Sequence, residues 1–184
     1  MTAPLRPSNT DFARRRAEMI RVDHAGERGA VAIYAGQRAI FGRAAATQTI
    51  AAKTSEMEDG EKEHLKAFET MIREGEARPT LMTPLWDAAG FALGAATALL
   101  GEKAAHACTE AVETVIEDHY NAQLAELGDQ DPKLSETIRQ FRDEEVTHRT
   151  YAQAHGAAEA PAYPLLTAVI KLGCRAAIAI SQKV

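Results

Sequence analysis

The chain has 184 residues, with 21 Lys and Arg against 26 Asp and Glu, for a net charge of −5 at pH 7. That length suits one domain with a sizeable core. The acidic balance, with no basic stripe interleaved with aromatics, excludes a nucleic-acid footprint. Cys108 and Cys174 lie far apart in apolar surroundings without a CxxC partner, so they read as reduced core thiols and not as a disulfide framework.

The opening segment MTAPLRPSNTDFARRR has no apolar run and does not read as a secretory signal. Arg14, Arg15 and Arg16 read as the solvated start of a helix, which puts the chain in a reducing compartment: bacterial cytoplasm, or a matrix-type space after trimming of a longer precursor. Asn9-Thr10-Asp11 offers N-caps for a first helix over about 10–42. A second helix spans about 46–75, closed by Arg78-Pro79-Thr80, and Thr83-Pro84 opens a third, apolar one over about 84–100. A fourth covers about 102–127 and stops at Gly128-Asp129; Asp131-Pro132 starts a fifth over about 132–155. A sixth, about 161–183, follows Pro161 or Pro164. No segment alternates with strand period, so the fold class is all-α.

Glu-x-x-His occurs twice, as Glu61-Lys62-Glu63-His64 and Glu145-Val146-Thr147-His148. Composition alone predicts about 0.6 such pairs. Each copy follows an isolated carboxylate, Glu27 leading Glu61 by 34 residues and Glu113 leading Glu145 by 32, so the halves superpose at an offset of 84 to 86. This spacing points to a duplicated helical hairpin. On an α-helix, positions i and i+3 share a face, so each pair presents two ligands to one point. Four helices then carry four carboxylates and two imidazoles, the ligand set of ferritin-like two-metal bundles with one long crossover, here occupied by the third helix. Carboxylate and imidazole without thiolate favour iron or manganese. Glu61 and Glu145, each beside its own His, read as bridges, with Glu27 and Glu113 terminal. Glu63, Glu110, Glu117 and Glu144 do not recur at the repeat offset and read as solvated or supporting groups.

Asp59 and Asp143 recur two residues before the bridging Glu and read as solvent-facing. Tyr34 and Tyr120 recur two turns after the terminal Glu: core aromatics, or groups that bond substrate or gate electron transfer. His119 is either a surface imidazole or a partner for a phenolic substrate. His24, one turn before Glu27, could touch the residues around the metals; His106 and His155 read as structural. The third helix and the C-terminal PLLTAVIKLGCRAAIAISQKV share a strongly apolar character. At 1.5 Å per residue the third is roughly 25 Å long, short of a membrane span. Both read as core or dimer helices, or as interfacial helices with Lys171, Arg175 and Lys183 towards phosphates.

RVDHAGERGAVAIYAGQ, EKEHL, ACTEAVETVIEDHYNAQL and FRDEEVTH together resemble the demethoxyubiquinone hydroxylases of ubiquinone biosynthesis, from about Met19 to the C-terminus. The resemblance implies a ferritin-like di-iron monooxygenase that hydroxylates the ring of a polyprenylated quinone with O2. It implies ligands at Glu27, Glu61, His64, Glu113, Glu145 and His148, matches His119-Tyr120 to a His-Tyr pair near the quinone, and implies two iron ions and electrons originating in NADH. It also implies contact of the apolar helices with a membrane surface, as a peripheral protein. The chain lacks the targeting extension of eukaryotic members, which points to the cytoplasmic face of a bacterial inner membrane. Other ubiquinone-biosynthesis proteins are possible partners, and a homo-oligomer is compatible with the apolar faces. Two alternatives stand beside this reading. A rubrerythrin-like peroxidase normally carries an added four-cysteine iron site, which two lone Cys cannot build. A non-enzymatic iron-binding protein fits poorly with the apolar C-terminal helix.

Overall fold

The punctuation in the sequence becomes six α-helices in the computed structural model, which describes residues 9–184. They are α1 (Asn9–Phe41), α2 (Gln48–Arg73), α3 (Thr83–Leu99), α4 (Glu102–Leu127), α5 (Pro132–Ala154) and α6 (Tyr163–Ser181), with no strand among the described residues. Asn9, Thr10 and Asp11, expected as caps, are already helical, and the opening segment before Asn9 lies outside the described residues. A short 3-10 turn, Ala45–Thr47, takes up the start expected for α2. Asp131 caps α5 by accepting from the Leu134 amide at 3.0 Å, with Pro132 in the first turn where its missing N–H costs nothing.

Cross-helix contacts set the topology. Along α1 and α4 the partners run in opposite directions: Arg15 with Glu126, Asp23 with Gln123, Tyr34 with Glu113, and Gln37 with the Ala105 carbonyl. Those two helices are antiparallel, and each forms a hairpin with the helix that follows α1 or α4. Between the hairpins, α3 climbs parallel to α1, from the Arg28–Asp87 ion pair to Gly94 beside Ile33. It is the crossover that the duplication requires. Its packing is backbone on backbone: a Cβ added to Gly94 would stand 1.9 Å from the Ile33 carbonyl oxygen, and one on Gly36 2.2 Å from that of Phe91.

The bundle interior is layered. Below the middle lie large apolar side chains: Met19, Ile20, Phe68, Leu127, Leu134, Ile138 and Phe141. Each such buried side chain contributes about 1.5–3 kcal/mol. Above the middle the residues are smaller, with Ala51, Ala98 and Ala105 around Phe41 and Ile50. The layer between is acidic. Outside the bundle, α3 and α6 leave large apolar side chains in the open, among them Leu85 and Phe91 on α3 and Leu165, Val169 and Leu172 on α6. Isolated exposed leucines are ordinary, but a paired apolar face of two helices is not.

Candidate metal centre and its cavity

Glu27 on α1, Glu61 and His64 on α2, Glu113 on α4, and Glu145 and His148 on α5 meet in the acidic layer. The helical i, i+3 spacing does what it should: His64 Nδ1 lies 3.4 Å from its own Glu61, and His148 Nδ1 lies 3.3 Å from its own Glu145. Each imidazole also faces the other repeat, His64 at 3.1 Å from Glu145 and His148 at 3.0 Å from Glu61. Two overlapping groups could each hold an ion: Glu27, Glu61, His64 and Glu145, and Glu61, Glu113, Glu145 and His148. Both contain Glu61 and Glu145, the two carboxylates that the groups share.

Hydrogen bonding tests whether the residues fit two cations. Buried polar atoms almost always find partners, yet eight atoms here have none: both oxygens of Glu61 and of Glu145, Oε2 of Glu27, Oε2 of Glu113, and Nδ1 of His64 and of His148. The remaining oxygens of the terminal carboxylates are taken, since Tyr120 donates to Glu27 Oε1 and Tyr34 donates to Glu113 Oε1. The free set is six carboxylate oxygens and two imidazole nitrogens, all turned inward. Such a donor set suits hard to borderline cations.

The charges agree. Burial, above all, pushes the Glu27 and Glu113 carboxyls above the usual carboxylate range, and the Glu145 charge adds to both; His64 and Tyr34 respectively oppose it. Burial alone would depress His148, but Glu145 and Glu61 outweigh it and lift the imidazole to about 9. His64 moves the same way, burial being outweighed by Glu145, Glu27 and Glu61. Protons are thus held where positive charge is wanted. Metal binding releases such protons.

The surrounding groups sort the weaker sequence readings. Glu144 accepts or shares a hydrogen bond with His64 Nε2 at 2.8 Å, orienting the ring, and Phe141 stacks on the same ring at 4.0 Å between centroids. Glu110 receives Tyr163 and Gln153, Glu117 pairs with Arg149, and Glu63 pairs with Lys66 in the open. Asp59 and Asp143 are exposed and paired with Lys62 and Arg142. His24 is buried near Arg28, Glu69 and Asp87 and makes no hydrogen bond to the ligand carboxylates. His106 packs against Tyr151 and His155, away from the centre. Both thiols are free, Cys108 buried and Cys174 partly so, with Cys108 pushed up to about 12 by burial.

Beside the centre lies a cavity of about 420 Å³, enclosed by α1, α3, α4 and α6. Its walls are apolar, including Ile33, Leu93, Val112, Ile116 and Ile170; its polar end holds Asp23, Glu27, His119 and Tyr120. An apolar pocket with a few convergent polar groups is the usual form of a small-molecule site. Asp23 and Gln123 were not legible as site residues in the sequence. Asp23 is buried, keeps Oδ2 without a partner, and accepts from Gln123 at 2.7 Å; His119 Nε2 stands 3.1 Å from the same oxygen. Asp23 precedes Glu27 by one helical turn and so shares its face, the one signal that could have found it.

Known proteins are similar to this chain in sequence. The family described as ubiquinone biosynthesis protein COQ7 matches residues 14–181. A Rhodospirillum rubrum protein named 3-demethoxyubiquinol 3-hydroxylase is 50% identical over 165 residues, covering 90% of this chain and 76% of the relative. A Mus musculus protein named NADPH-dependent 3-demethoxyubiquinone 3-hydroxylase, mitochondrial, is 50% identical over 169 residues, with the same 90% and 76% coverage. The Saccharomyces cerevisiae 5-demethoxyubiquinone hydroxylase is 41% identical over 181 residues, covering 90% of this chain and 77% of its own length. With the family matched from α1 to the end of α6, the chain belongs to the COQ7 family of ubiquinone biosynthesis proteins.

Proposed function

We propose that the chain is a di-iron monooxygenase that hydroxylates the ring of a demethoxyubiquinone-type substrate, as quinone or quinol, with O2. The observation that carries this reading is the meeting of the apolar cavity with the acidic layer, at Glu27 and Tyr120. Glu27, Glu61, His64, Glu113, Glu145 and His148 would hold two iron ions, which when bound supply the reduction and cleavage of O2 beside the ring. The protein's part is placement. Leu93, Ile116 and Ile170 exclude water and take the isoprenoid tail, while Tyr120, His119 and Asp23 form the polar end where ring oxygens sit. His119 beside the buried Asp23 carboxylate is suited to hold or pass a proton of a quinol hydroxyl. The electrons come from a nicotinamide nucleotide: the resemblance implies NADH, and the mitochondrial relatives carry NADPH in their names.

The same cavity supports contact with a membrane. Its walls include α3 and α6, which meet where Trp86 Nε1 donates to Ser181 Oγ at 3.0 Å. By length and composition α6 is apolar enough to cross a membrane, at 19 residues and a mean hydropathy of 1.5. However, Thr167, Ile170 and Ser181 pack inward, and Arg21 on α1 holds the Ser181 and Gln182 carbonyls. A helix lying against the bundle with Leu165, Val169 and Leu172 outward fits the interface better than a separate span. The reading is of a peripheral protein at the cytoplasmic face of a bacterial inner membrane. A peroxidase or iron-storage role would leave the cavity without use.

Anaerobic iron loading, followed by a short-tailed demethoxyquinol, reductant and 18O-labelled O2, tests the reaction. One labelled oxygen in the ring hydroxyl is the expected product; iron-loaded protein that consumes O2 without it would sink the monooxygenase reading.

A further inference from the structure

The two tyrosines of the centre are related by the repeat but bonded across it. Tyr34 follows Glu27 by seven residues, yet it donates to Glu113; Tyr120 follows Glu113 by seven, yet it donates to Glu27. Both side chains are only 1% exposed, so bulk solvent hardly reaches these bonds. A hydrogen bond to a carboxylate is a strong one in such a place. The result is a division among the acids: Glu27 and Glu113 keep one free oxygen each, whereas Glu61 and Glu145 keep two. The pair is also unequal. Glu27 and Tyr120 line the apolar cavity, and Tyr34 and Glu113 do not.

We propose that Tyr34 and Tyr120 are positioning residues that confine the two terminal carboxylates to one ligand oxygen each, and that Tyr120 alone reports the occupancy of the cavity to the Glu27 half of the centre. The second part rests on the quinone reading above. A phenol has one O–H to give. A ring oxygen at the polar end of the cavity competes with Glu27 Oε1 for that hydrogen, and when Tyr120 turns to the ring, Glu27 recovers its second oxygen for the adjacent cation. Glu113 stays capped, because Tyr34 faces no substrate. The centre therefore responds to substrate on one side only.

The test uses the full chain loaded with Zn2+, which is redox-inactive, and reads carboxylate stretches by difference infrared spectroscopy. The antisymmetric and symmetric bands lie farther apart for a monodentate carboxylate than for a chelating one. Tyr34→Phe and Tyr120→Phe keep the ring and remove the cap. Each variant should hold as much Zn2+ as the parent while one carboxylate moves to the narrower splitting. Unchanged spectra in a folded, Zn2+-loaded variant would overturn the first part, and either variant alone is enough to do so. A short-tailed demethoxyquinone is then added, with binding followed separately through quenching of Trp86, the one tryptophan, which lines the cavity. The parent and Tyr34→Phe should show the band shift on binding, and Tyr120→Phe should not. Quenching with no shift in the parent overturns the reporting role of Tyr120 and leaves the quinone reading intact. An absence of quenching removes both.

Discussion

The two halves of the bundle carry the same candidate ligands and differ almost everywhere that substrate would be met. Glu27 and Glu113, Glu61 and Glu145, His64 and His148, and Tyr34 and Tyr120 all correspond at offsets of 84 to 86 residues. At the same offset His119 stands opposite Ile33, and Asp23 opposite Thr109; these departures give the cavity its polar end. Glu144, which orients His64, stands opposite Gly60, whose added Cβ would lie 3.9 Å from His148 Nε2. The repeat is kept among the candidate ligands and broken along the cavity.

The strongest way to break the symmetric part is to remove a shared acid. Glu145→Ala or Glu61→Ala should lose both ions, because two cations close together without a common anion repel steeply. Glu27→Ala or Glu113→Ala should lose affinity mainly for one of the two. Metal content of the purified variants by mass spectrometry separates these outcomes; equal losses from bridging and terminal positions would contradict the assignment of Glu61 and Glu145.

The asymmetric part depends on α3, whose glycines press directly on the backbone of α1. Gly94→Ala would drive a Cβ to 1.9 Å from the Ile33 carbonyl oxygen, and backbone cannot yield as a flexible side chain does. A loss of about 3 kcal/mol or more in stability is expected, within the range for overpacking and backbone displacement. Chemical denaturation measures it. A fall in quinone binding with metal content retained would show that α3 serves the cavity and not the centre.

These contrasts also explain what the sequence could and could not disclose. The clustering of the six candidate ligands was legible because helical geometry joins residues three apart and the duplication repeats the pattern, so local spacing carried the information. The helices were legible through Gly128, Asp131-Pro132 and Thr83-Pro84. Asp23, Gln123 and the swapped tyrosine bonds were not, since each has its partner on another helix about a hundred positions away. The role of Gly36 and Gly94 was hidden for the same reason: a small residue in a helix shows no sign of the backbone that will press on it. His24 sits on the right turn but faces Glu69 and Asp87, a matter of rotation about the axis of α1.

A finer comparison concerns the outer support of the two histidines. Partners that orient a metal-bound imidazole are typically worth about 10–100-fold in metal affinity. Glu144 is half exposed, so Glu144→Gln should cost about tenfold, at the lower end of that range, and only at the ion beside His64. Gly60→Glu should supply His148 with the carboxylate it lacks and tighten the other ion. Competition with a chromophoric chelator reads both constants. If Glu144→Gln weakened the two sites equally, the orienting role would fall and a general charge effect would replace it.

The smallest expected effect concerns a position far from the metals, where α1 has Ile20 and α4 has His106 at the same repeat offset. His106 is buried against Tyr151 and His155, and burial, helped by the charge of His155, lowers its pKa to about 4. The ordinary value is 6.5, so the folded chain refuses a proton that the unfolded chain accepts. Stability from this group is therefore complete above about pH 6.5 and drains away as the pH falls towards 4. Between pH 7 and pH 5 the loss should be about 1–2 kcal/mol. His106→Ile gives the second half the apolar residue of the first and should flatten that part of the acid limb. Urea unfolding of parent and variant at the two pH values, with metal content matched, isolates the slope from the packing change, because packing shifts both values together. The other titrating groups, including the buried acids of the centre, are common to both proteins and cancel in the difference. Parallel pH dependences in the two proteins would mean that His106 titrates normally and that the Tyr151–His155 cluster is open to water.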